Sequence, residues 1–204
     1  MTAGDQGELI PDLRCAANGD ARGNQPHLIL PRILEKASND YWPSAPEETA
    51  ALDIIRKWAD LERSGKLAAR KETAIQGEFL ADIFGRVLGY KPFSKNLPRW
   101  ELEVSFGVNG GTADAALGLF AHGKPPKPYA QIELKGPLVN VDRDRSNGRT
   151  AVQQCWDYLN AVPDCPWGIV CNYVGFRLYH RNKTPRVFEH FTLQDLAAKD
   201  QRRF

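Results

Sequence analysis

The chain has 204 residues, 42% of them apolar and 25% charged, with a formal net charge of +2. That balance fits one soluble globular domain with a real core and excludes a disordered, collagenous or strongly charged chain. No segment approaches the about 20 apolar residues that cross a membrane, and the acidic start MTAGDQGELIPDL lacks an apolar leader, so no membrane partner is expected.

Cys15, Cys155, Cys165 and Cys171 show no CxxC spacing. They read as free thiols of a cytoplasmic protein, not as zinc ligands. His27, His122, His180 and His190 are scattered without ligand spacing and read as structural or surface residues.

Residues 1–43 form a polar N-terminal arm with one apolar run, HLILPRIL, where Pro31 and the preceding Pro26 argue against a long helix. The arm is expected to wrap the domain or fray. The main domain is assigned to residues 44–204. SAPEETAALDIIRKWADLERSG predicts a helix: Ser44 and Glu47 have capping-box spacing, Pro46 fits a first turn, and Gly65 stops it. RKETAIQGEFLADIFGRVLGY predicts a second, with Ile75, Phe79, Ile83 and Val87 on one stripe and Gly89 as the C-cap. RWELEVSF, TADAALGLF and YAQIELK predict three strands, the last two a hairpin around AHGKPPKP.

VDRDRSNGRT is a polar loop with an Asn-Gly turn signal, and AVQQCWDYLNAV is a short helix ended by Pro163. PWGIVCNYVGFRLYH predicts another hairpin turning near Asn172–Gly175, and TPRVFEHFTLQDLAAKD a last strand and helix. The order α, α, β, β, β, α, β, β, β, α implies a mixed α/β sheet with helices against it. Between Gly123 and Thr150, six basic residues (Lys124, Lys127, Lys135, Arg143, Arg145, Arg149) face three acidic ones (Glu133, Asp142, Asp144). The excess suits a phosphate backbone and equally a solvated loop.

QIELK carries the chemistry. Alternation points Ile132 and Leu134 one way and Gln131, Glu133 and Lys135 the other. A hairpin with TADAALGLF brings Asp114 to the same end as Glu133 and Lys135. Two carboxylates beside a lysine make a site for a hard cation such as Mg²⁺, which activates water and stabilises phosphoryl charge. The lysine would orient or deprotonate that water, or meet the phosphate. Glu78 borders the apolar stripe of the second helix and is placed to reach the sheet edge. Gln154 and Tyr158, four apart, share one face of the short helix. Tyr158, Trp156 and Trp167 read as packing residues, and Gln154 either as a site residue or as a solvated one.

Asp114…Glu133-Leu134-Lys135, with Glu78 ahead and Gln154-x-x-x-Tyr158 behind, resembles the PD-(D/E)xK nuclease superfamily. The ordered segments KETAIQGEFLADIFGRVLGY, TADAALGLF, QIELKGP, AVQQCWDYL and GIVCNYVGFRLYH resemble the N-terminal endonuclease region of type IIG restriction-modification proteins, in which a nuclease precedes an adenine methyltransferase. The resemblance covers about residues 44–200. It implies a restriction-endonuclease-like mixed β-sheet flanked by helices and Mg²⁺-dependent hydrolysis of double-stranded DNA, with Mn²⁺ able to substitute. It also implies metal ligation by Asp114, Glu133 and the Leu134 carbonyl, catalysis by Lys135, and auxiliary roles for Glu78 and Gln154. A methyltransferase or specificity region in the same or a partner polypeptide, and transient dimerisation on DNA, are the implied partners.

The chain departs from that pattern in two ways. Ala113 stands where the first motif has proline, and no NPPY-type tetrad or Gly-rich S-adenosylmethionine loop is found. It is therefore expected to be a nuclease domain alone or a stand-alone relative. A catalytically silent DNA-binding module and a repair-type nuclease of the same fold are the alternatives.

Overall fold

The computed structural model describes residues 28–41, 43–108 and 110–198. Cys15, His27 and most of the arm lie outside them. The arm's apolar run departs from expectation, because an 11-residue helix, α1 (Pro31–Tyr41), begins inside it. Pro31 is the first helical residue, where a missing N–H costs no hydrogen bond. Just ahead of α1, the Leu28 and Ile29 amides donate to Glu189 Oε1 at 2.9 and 3.1 Å, tying this part of the chain to the far sheet edge.

The second predicted helix is α2 (Ala45–Arg63), capped as its sequence requires. Glu47 Oε2 accepts from the Ser44 amide at 3.0 Å and from the Ser44 hydroxyl at 2.6 Å. The next helix is not uniform. It runs as α3 (Glu72–Phe79) and then widens into a π-helical segment, Leu80–Val87. Buried Asp82 fastens that segment to α2, accepting from Lys57 Nζ at 2.7 Å and Trp58 Nε1 at 3.0 Å, and from Arg86 at 2.8 Å.

Six strands form one mixed sheet in the order β1-β2-β3-β4-β5-β6. They are β1 (Trp100–Val108), β2 (Gly111–Phe120), β3 (Lys127–Leu134), β4 (Trp167–Cys171), β5 (Gly175–His180) and β6 (Glu189–Thr192). Every pairing is antiparallel except β3–β4, which is parallel. A parallel pair needs a crossover, and α4 (Ala151–Ala161) supplies it. Its cap is the Thr150 hydroxyl, which accepts from the Gln153 amide at 3.2 Å, while Gln153 Oε1 accepts from the Thr150 amide. A short α5 (Leu193–Ala197) follows β6 and packs on α2.

The two faces of the sheet are covered differently. On one, Ile132 and Leu134 join Trp58, Phe79, Phe84 and Tyr173 in the main core. Phe79 is its hub: its ring meets Trp58 and Tyr173 edge-on and stacks on Phe176. On the other, α4 lays Val152, Cys155 and Leu159 against Val170 and Tyr179. With both faces covered, β3 reads as a buried strand although it carries Gln131 and Glu133.

Gly168 sets how closely α4 approaches. A Cβ there would stand 2.5 Å from Cys155 Sγ and 3.0 Å from Leu159 Cδ1. Replacing it with valine is therefore expected to lift the helix and cost about 1–3 kcal/mol of stability. Urea unfolding checks this; an unchanged midpoint would contradict the close packing.

Candidate functional site

The site gathers at the end of β3 where three elements meet. Ala115 pairs with Ile132 and Ala116 with Gln131. Carrying the antiparallel ladder one residue further sets Asp114 beside Glu133, as the hairpin reading expected. Asp114 does more than face its neighbour: its Oδ2 accepts the Leu134 amide at 2.7 Å. The carboxylate thus fixes the backbone between Glu133 and Lys135. Lys135 Nζ donates to Glu133 Oε1 at 2.5 Å, and the Lys135 amide to the Cys171 carbonyl at 2.9 Å. The end of β4 therefore holds the backbone of the same lysine whose side chain holds Glu133.

Glu133 is 3% exposed, a strongly buried carboxylate. Burial pushes its pKa from 4.5 up to about 7 against the pull of Lys135, with Asp114 and Glu72 adding repulsion. Asp114 is also raised, first by burial, although the Leu134 amide, Lys135 and a hydrogen bond with Gln76 oppose this. Burial works against the Lys135 ammonium, but the Glu133 hydrogen bond and the surrounding carboxylates outweigh it and hold its pKa above the usual lysine value. Lys135 is bonded to Glu133 alone, and Asp114 and Glu72 act on it through their charge.

Glu78, expected as the auxiliary acid, is engaged elsewhere: its Oε1 accepts from Lys57 Nζ at 2.7 Å and its side chain is 61% exposed. The α3 acid whose charge acts on Glu133 and Lys135 is Glu72, itself raised by burial and by Asp114. The two glutamates are six residues apart on one helix, so they cannot share a face. Glu72 opens α3, and Gln76 follows it one turn on and reaches Asp114. Tyr173 braces this start, its hydroxyl donating to the Glu72 carbonyl at 3.1 Å. The four-residue spacing of Glu72 and Gln76 was the available signal.

Of the α4 pair, Tyr158 is buried as read, and its hydroxyl donates to the Thr112 carbonyl at 3.2 Å. Burial raises its pKa, and the charge of Glu133 adds to the rise. Gln154 is buried with its Oε1 unpartnered, and no contact between it and the carboxylates is seen among the described residues. The basic loop is partly self-neutralised: Arg177 grips Asp142 with two bonds of 2.7 Å, Arg149 pairs with Asp157 at 3.0 Å, and Arg145 donates to the Gly148 carbonyl. Cys155, Cys165 and Cys171 are free buried thiols, as expected.

Ser105 was not anticipated. It stands across β2 from Asp114, between the pairs Val104–Ala115 and Phe106–Ala113, with φ of 58°. A left-handed serine inside a strand is strained backbone. Strict alternation would point Phe106 with Leu102; instead its ring lies 5.8 Å from Phe120 on the face that carries Ala116. The strained residue neighbours Asp114 in the ladder, and Phe106 beyond it packs toward Phe120.

Among the described residues, no three His, Cys, Asp or Glu side chains already converge as a ligand shell, and no helix is long and apolar enough to cross a membrane. Compared with known proteins, the chain matches no family model, no curated protein and no solved structure.

The Glu133 shift has a measurable sign. Its folded pKa lies above its unfolded one, so the folded state binds more protons between about pH 4.5 and 7. Metal-free stability is expected to fall across that window, by on the order of a few kcal/mol. Glu133→Gln is expected to flatten the upper part of the slope, leaving the shifts of Asp114 and Glu72 below it. Urea unfolding at pH 5, 6, 7 and 8 reads this directly; a stability that rises from pH 5 to 7 would contradict it.

Proposed function

We propose that the chain is a Mg²⁺-dependent nuclease domain of the restriction-endonuclease-like fold, hydrolysing phosphodiester bonds of double-stranded DNA. The observation that carries this reading is the opposed Asp114–Glu133 pair at the end of β3, with Lys135 bonded to Glu133 and Glu72 within electrostatic reach. Such a cluster calls for cationic charge. Mg²⁺ characteristically takes only one or two protein carboxylates and completes its shell with water and substrate phosphate. A two-carboxylate pair without a full protein ligand shell fits that habit better than it fits Zn²⁺ or Ca²⁺.

Asp114 and Glu133 would hold the ion, with the Leu134 carbonyl as a further oxygen at the same strand end. When bound, the ion would supply charge stabilisation at the phosphoryl group and a more acidic attacking water. Lys135 is held as an ammonium, so its fitting role is to orient water or meet a phosphate oxygen, not to accept a proton. Glu72 and Gln76 would keep Asp114 in place from α3. Gln154 keeps its proposed contact with substrate or site through α4. As a restriction-modification cleavage module, the domain would take its site choice from a methyltransferase or specificity region, and cutting both strands would pair two copies transiently on DNA.

Supercoiled-plasmid nicking at low salt with Mg²⁺ or Mn²⁺ tests the reading. Lys135→Ala is expected to reduce metal-dependent nicking by about 10²–10³-fold or more. Nicking equal in both proteins would overturn the assignment.

The two glutamates on α3 give a second test in the same assay. Glu72→Gln is expected to lower the rate by at least about tenfold, as loss of an outer support of a metal site does. Glu78→Gln should leave it unchanged. The reverse pattern would restore Glu78 to the site and remove Glu72.

A further inference from the structure

Gln131 is 2% exposed, and neither its Nε2 nor its Oε1 has a hydrogen-bond partner. A buried primary amide with both ends unmet is rare, and each such group calls for an explanation. Its surroundings offer none. Across β2 it faces Ala116, and across β4 it faces Gly168, over which sit Cys155 Sγ and Leu159. These neighbours are methyl, hydrogen, thiol and alkyl groups. Glu103, beyond Ala116 on β1, is engaged with Trp100 Nε1. Along its own strand, the next side chain on the same face is Glu133, two residues on.

Glu133 is at present held by Lys135. If a substrate phosphate draws Lys135 off that oxygen, a buried carboxylate oxygen loses its donor. We propose that Gln131 is the positioning residue for Glu133: its amide N–H takes over the Glu133 carboxylate oxygen when Lys135 turns to the substrate. This rests on the nuclease reading above. The amide has no partner in the resting arrangement, in which Lys135 holds Glu133, and it would find one in the working arrangement. Same-face neighbours two apart on a strand stand about 7 Å apart, a span that the two side chains bridge. The bond would leave the other Glu133 oxygen directed at the cation.

The proposal separates stability from function. Removing an unmet buried amide relieves its desolvation cost. Gln131→Met and Gln131→Leu, in the full chain without metal, are expected to raise Tm by about 2–4 °C. The same variants are expected to bind Mn²⁺ about 10–100-fold more weakly by calorimetry, as loss of a supporting partner does. Mn²⁺ affinity equal to the native chain in both variants would overturn the proposal. A fall in Tm in both would overturn it too, since Gln131 would then be a satisfied structural residue. If the native chain itself takes up no Mn²⁺, the metal-site reading fails and this inference with it. Native binding with unchanged variants sinks only the role of Gln131.

Discussion

The structure turns on a single bond, the acceptance of the Leu134 amide by Asp114 Oδ2 at 2.7 Å. It takes a donor at the end of β3, where the strand leaves its antiparallel partner, and satisfies it with a side chain from β2. The residues on either side of that amide are Glu133 and Lys135, so one contact sets the placement of both. On the opposite edge the Lys135 amide donates to Cys171 at the end of β4. The end of β3 is thereby clamped between two strands before any substrate or ion arrives.

That clamp explains why an expensive arrangement persists. Glu133 lies between the sheet and α4, where burial raises its pKa to about 7. A carboxylate placed so is unfavourable for the fold and favourable for holding a cation, which repels a proton and attracts the ionised form. Gly168 allows α4 to close over this face, and Tyr158 pins the helix to the start of β2. Tyr173, from the turn between β4 and β5, reaches across to brace the start of α3 and hence Glu72. The elements converge on the cluster from both faces of one sheet, and local strain at Ser105 lies next to it. Stability given up at one spot and supplied by two packed cores is the pattern expected of a functional site.

Much of this was legible in the residues. Period-2 alternation in YAQIELK separates Ile132 and Leu134 from Gln131, Glu133 and Lys135, and the structure buries the two sets on opposite faces. The hairpin turn signals placed Asp114 at the right end. What escaped reading was geometry that local sequence does not encode. Glu72 and Glu78 are equally plausible on a helical wheel; which one meets the sheet end depends on how α3 crosses it, and that is set by Phe79 in the distant aromatic core. The start of α1 is hard to read because a proline that breaks a helix interior is well suited to its first position, where Pro31 stands. The orientation of Phe106 follows from a left-handed serine, which no composition rule foretells. The sheet is mixed α/β with six strands, and the nuclease proposal rests on the chemistry of the residues at the end of β3.

Anomalous diffraction from a crystal soaked in Mn²⁺ tests the central claim most directly. A single strong peak is expected at the end of β3, where Asp114, Glu133 and the Leu134 carbonyl would hold the ion, with the Lys135 ammonium displaced from Glu133 Oε1. No peak there at saturating Mn²⁺, with Lys135 still bound to Glu133, would make the cluster a structural ion pair and contradict the account.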